Sequence, residues 1–137
     1  MKKLHPACLI AVLAIVQTAH AASIFDGTWS AIFTCPGTSD GSRGYTRNLR
    51  AQVQNGVLHA EVGTQGQAGY LALDGVIQPD GNAIFAGQGL TGNPDYAVGR
   101  PSPTTPYTFH LQSRFTPTQG TGSRTETRRC DATFTRN

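Results

Sequence analysis

The chain has 137 residues, 38% hydrophobic and 14% charged, with a formal net charge of +3. That is enough for one domain with a modest core. The charge is too small for a nucleic-acid binder, which needs clustered cations against many phosphates, and no paired C-x-x-C metal motif is present.

Lys2 and Lys3 precede an apolar run from Leu9 to Val16, and Ala19-His20-Ala21 places small residues before a cleavage point. Residues 1–21 therefore read as a secretory signal peptide and 22–137 as a single mature domain. The apolar run is shorter than the roughly 20 residues a bilayer requires, and no comparable run follows, so no membrane span is expected. Cys8 lies ahead of the apolar run and leaves with the signal. The mature part keeps nine Arg against eight acidic residues and contains no Lys. Its two cysteines, Cys35 and Cys130, are expected to pair in an oxidising compartment, the periplasm or the exterior.

Strand signals follow in chain order, as period-two alternation between turn clusters. Gly27–Cys35 is the first strand, and 36–44 is a loop by composition. Tyr45–Gln54 and Val57–Val62 form a hairpin about Asn55-Gly56, because both residues tolerate positive φ. Residues 70–78 and 83–90 flank the Pro79-Asp80-Gly81-Asn82 turn. The segment 107–115 places Tyr107, Phe109, Leu111 and Phe115 on one face. The tail from Gly120 to Arg136 holds one strand or a hairpin, with Cys130, Ala132 and Phe134 facing in. Together these predict an all-β fold, an antiparallel up-and-down barrel of about seven or eight strands, with a two-sheet sandwich as the alternative. Closure removes exposed edges and brings the first and last strands together, where a Cys35–Cys130 bond fits.

The start Phe25-Asp26-Gly27-Thr28-Trp29 resembles the G-x-W opening of calycin barrels, the lipocalin and avidin-like group. That resemblance implies that Trp29 plugs the closed end of the barrel and that Arg136, near the C-terminus, packs on it. The chain also resembles a set of small exported bacterial proteins of unassigned activity. The shared elements are the F-D-G-x-W start, an early Cys, an N-G hairpin, the run Asp74 to Gly81 and a late Arg129-Cys130. This second resemblance implies a fold and an export route.

Residues 91–106 break the strand pattern with prolines at 94, 101, 103 and 106. Long irregular loops in compact domains are often functional, so this one reads as an extended surface crossing or as a lid or rim over a pocket, with Tyr96 and Arg100 as contacts. The ligand-binding candidates are Tyr70, Tyr96, Arg100, Tyr107 and Phe109. His59, Glu61 and His110 are weak metal candidates, two His and a carboxylate being a set that can hold zinc. Gly37-Thr38-Ser39-Asp40-Gly41 matches G-x-S-x-G but lacks the following helix that a nucleophile elbow needs. Arg43, Arg47 and Arg50, with Arg124, Arg128 and Arg129, become neighbours if the barrel closes, as a solvated charged face or as a surface for an anion or an acidic partner. The functional expectation is an exported non-enzymatic protein that binds a small ligand in or at the rim of the barrel, with no cofactor. The alternatives are an interaction or inhibitor module whose partner is an envelope protein and, behind it, a metal-dependent enzyme.

Overall fold

A computed structural model describes Lys2 and residues 22–137. Apart from Lys2, the expected signal peptide, with its cleavage point and Cys8, lies outside the described residues. Eight strands follow one another: β1 (Gly27–Cys35), β2 (Tyr45–Gln54), β3 (Val57–Val62), β4 (Leu71–Val76), β5 (Asn82–Leu90), β6 (Pro106–Phe115), β7 (Gln119–Arg124) and β8 (Cys130–Arg136). Each pairs antiparallel with its neighbour in sequence, and β8 returns to β1 to close a barrel. The sandwich alternative is therefore set aside, because β1 pairs along its length with both β2 and β8. Beside the strands, the described residues hold one 3₁₀ turn, Pro94–Tyr96, and no helix long and apolar enough to cross a membrane.

The tail folds as a hairpin. The fourth strand is shorter than expected, ending at Val76. Beyond it Ile77 makes a single bridge to Ala83, and the Gln78 amide donates to Asn82 O at 2.9 Å as the chain turns. The Asn55-Gly56 turn has both residues at positive φ, 52° and 77°, which matches the right-handed twist of the flanking strands.

Alternation sets what faces in. Leu49, Ala51 and Val53 of β2, Leu58 and Ala60 of β3, Phe109, Leu111 and Phe115 of β6, and Cys130, Ala132 and Phe134 of β8 are all buried in one core. At one end of the barrel Trp29 sits edge-on to Phe115, ring centroids 5.4 Å apart, and its Nε1–H donates to Phe25 O at 2.9 Å. Arg136 stands opposite Trp29 in register. Its guanidinium donates to the carbonyls of Ile24, Pro117 and Asp26, tying the segment before β1 to the β6–β7 turn. That end is filled.

Cys35 and Cys130 form a disulfide. Thr34 pairs with Asp131, so the next residue on each strand brings the two cysteines face to face at the β1–β8 seam. Such a bond is consistent with an oxidising, extracytoplasmic environment.

Candidate functional site

The opposite end of the barrel is open. A cavity of about 340 Å³ lies there between the mouth of the barrel and the 91–106 loop, lined by Tyr45, Arg47, Leu71, Tyr107, Arg124 and Arg128 from the strands and the β7–β8 loop. Tyr96, Ala97 and Val98 line it from the loop side. Its volume falls in the roughly 300–1,000 Å³ range of small-molecule sites.

Two glycines seat the aromatic rings beside the cavity. Gly89 pairs with Tyr107 and Gly87 with Phe109 across β5 and β6. A Cβ on Gly89 would lie 2.4 Å from the Tyr107 ring, and one on Gly87 would lie 2.3 Å from the Phe109 ring. Each ring therefore occupies the space over a glycine backbone. The aromatics continue as a column, Tyr107 stacked on Phe109 at 6.2 Å and Phe109 on Phe33 at 5.6 Å. Tyr107 forms part of the cavity wall, and Phe109 and Phe33 lie in the layers beneath.

The roof is fastened to the β1–β2 loop. Thr91 closes the base of the 91–106 loop by backbone and hydroxyl bonds to Thr105 O at 2.9 and 3.0 Å. Arg43 N donates to Asp95 O at 2.9 Å, Ser42 Oγ to Ala97 O at 3.0 Å, and Gly99 N to Asp40 Oδ2 at 3.0 Å. The Thr38 hydroxyl, the Gly99 amide and Ser42 hold the Asp40 carboxyl well below the usual carboxylate range. Arg128 bolts the two loops to the β7–β8 loop that carries it. Its guanidinium donates to Tyr96 O at 2.7 Å, Pro36 O at 2.6 Å and Arg43 O at 3.3 Å, and sits 5.1 Å from the Tyr45 ring.

Three arginines line the cavity and no Asp or Glu does. Among the described residues, none of Arg47, Arg124 and Arg128 has a carboxylate within 4 Å. Arg124 is 5% exposed and Arg128 6%. Arg124 lies 4.4 Å over the Phe109 ring, and its Nε–H donates to Glu126 O at 3.0 Å. Burial pulls the Arg124 pKa down from its ordinary value and pushes the Tyr107 hydroxyl up to about 12. The Arg128 Nε–H is buried with no partner. Arg47 donates to Gly69 O at 2.9 Å. The Glu126 carboxylate is engaged elsewhere, accepting from the His110 backbone N–H at 2.6 Å and lying 3.1 Å from its ring.

Of the five expected ligand residues, Tyr96 and Tyr107 line the cavity and Phe109 lies beneath it. Tyr70 does not line it; its hydroxyl donates to Glu61 at 3.0 Å. Arg100 is exposed and reaches Gly41 O at 3.4 Å. Arg43, Arg50 and Arg129 of the expected cationic group are exposed, whereas Arg47, Arg124 and Arg128 meet at the cavity.

His59, Glu61 and His110 are not brought together. His59 pairs across to Asp74, Asp74 to Ala86, and Ala86 to His110. Three strand spacings of about 4.8 Å thus separate the two histidines on the outer face. Among the described residues no group of three His, Cys, Asp or Glu is placed to hold a metal. His59 instead sits 2.6 Å from Asp74 and 3.4 Å from Glu61. The Asp74 hydrogen bond raises its pKa above the ordinary value.

A scan against protein-family models finds no match to the chain, and searches of curated proteins and of solved structures find none either.

Proposed function

We propose that the chain is an exported, non-enzymatic binding protein that holds a small ligand in the mouth of its barrel, beneath the 91–106 loop. The observation that carries this reading is the asymmetry of the barrel interior. One end is packed solid around Trp29 and Phe115, while the other keeps a cavity of about 340 Å³ walled by apolar and aromatic side chains and roofed by a fastened loop. Small eight-stranded barrels either fill with side chains or hold one small ligand, and the cavity at the mouth favours the second. The disulfide and the signal-like N-terminus support action outside the cytoplasm, in the periplasm or beyond the cell.

Native mass spectrometry of the chain expressed with its own leader in a bacterial periplasm tests the reading. The wild type is expected to carry an extra mass that leaves on denaturation. Val98→Trp, which fills the cavity from its roof, is expected to carry none. An extra mass retained equally by Val98→Trp contradicts the placement, and a wild type that stays free of added mass even after incubation with periplasmic extract contradicts the binding function.

A further inference from the structure

We infer that the ligand of the barrel mouth is a small organic anion, with an apolar or aromatic body and a carboxylate or phosphate head set against Arg124 and Arg47. The inference rests on the binding function just proposed and specifies its chemistry.

Its basis is a cation held, among the described residues, without a counter-charge, with free donors on the cavity side. A buried cation is ordinarily kept only where it is paired or fully hydrogen-bonded, because taking it out of water is expensive. Arg128 meets that condition largely through backbone carbonyls, and its role is to bolt three loops together. Arg124 does not. A guanidinium carries five N–H donors, and among the described residues the partner of Arg124 is a single carbonyl. Its remaining donors belong to a side chain that lines the cavity. Arg47, on the same wall, gives one donor to Gly69 O and has others to spare.

Four acids of the neighbouring loops and the outer wall are committed elsewhere. Asp40 is bound to Thr38, Ser42 and Gly99, Glu126 to His110, and Glu61 and Asp74 to the outer-face His59. A fork of N–H donors over an aromatic floor matches a planar carboxylate, or a phosphate, far better than a neutral group. Tyr45, Tyr107 and Leu71 supply surface for an apolar body. A ligand cation would face three arginines with no counter-charge and is disfavoured.

Isothermal titration with four matched probes tests this: 2-naphthoate, 2-naphthyl phosphate, neutral 2-naphthamide and cationic 2-naphthylmethylamine. At least one anion is expected to bind roughly tenfold or more tighter than the amide and the amine, as charge-assisted pairing implies. Which anion leads identifies the head group. Arg124→Met is expected to bring anion binding down to the level of the amide, with Arg124→Lys restoring part of the preference. A loss of amide binding in step with anion binding would mark Arg124 as merely structural and overturn the inference. Circular dichroism melts accompany each variant. Arg47→Met, less buried, carries the test if Arg124→Met does not fold. Equal binding of amide and anions, abolished by Val98→Trp, overturns the anion inference and leaves the barrel-mouth reading standing. Failure of all four probes to bind overturns both.

Discussion

At the scale of single residues, the molecule separates its charges into two kinds. On the outer wall they compensate one another. His59 lies between Asp74 and Glu61, and Tyr70 anchors Glu61, whose carboxyl is lowered by that hydroxyl and by His59. In the mouth they do not, and Arg124 keeps its charge against an aromatic ring and one carbonyl. The His59 group gives a pH signature. A histidine whose folded-state pKa is raised contributes its full stability below the unfolded value of about 6.5 and loses it as pH rises through the folded value. The group is half-exposed, so solvent screening keeps that contribution small. The titration itself is easier to read. In NMR spectra the His59 ring is expected to titrate above about 6.5, and Asp74→Asn to lower it more than Glu61→Gln, because Asp74 is the larger cause. A wild-type midpoint at or below the ordinary value would contradict this. The shared face of His59 and Glu61 was legible from their spacing of two along a strand. The position of Asp74 was not, because cross-strand partners depend on register, which loop geometry sets.

At the scale of elements, alternation and turn chemistry carried most of the fold. The inward faces of β2, β6 and β8 follow period-two patterns plain in the sequence, and Asn55-Gly56 marks its hairpin directly. β7 was the weak point. Its sequence, Gln-Gly-Thr-Gly-Ser-Arg, has no apolar alternation, since its inward positions are two glycines facing large neighbours and Arg124. Gly120 pairs with Phe115, whose ring would meet an added Cβ at 2.7 Å. A strand whose inner face is supplied by its partner's side chains looks like a loop when read alone. The β1–β8 seam makes its own prediction. The disulfide spans a sequence separation of 95, and a loop of that length constrains the unfolded chain by about 4–5 kcal/mol in the chain-entropy account. The double variant Cys35→Ala/Cys130→Ala is expected to lose about 3 kcal/mol or more, a drop on the order of 10 °C in melting temperature by calorimetry. Melting together with the wild type would mean that the seam holds by strand pairing alone.

At the scale of the whole molecule, closure creates the site. Arg47 lies on β2, Arg124 ends β7 and Arg128 follows it, so the three come together only when β8 returns to β1 and the barrel shuts. The sequence shows two groups of arginines and a proline-rich loop. Which of them turn inward depends on strand ends and loop paths that have no local signature, and this is why Arg100 and Tyr70 were plausible from composition yet lie outside the cavity. Tyr45 could have been found as the inward residue at the mouth end of β2, the same parity as Leu49 and Ala51. The resulting design has one packed end, one open end and a roof held by hydrogen bonds to a neighbouring loop. The central claim is that a ligand sits in that open end. The most direct measurement is amide chemical-shift mapping of ¹⁵N-labelled residues 22–137 during titration with 2-naphthoate. The account predicts perturbations at Gly69, Gly92, Val98 and Thr127 around the mouth, with Gly27 and Gly120 at the packed end unmoved. Shifts confined to the outer wall, at exposed Val57, Val76 and Ile84, would contradict it.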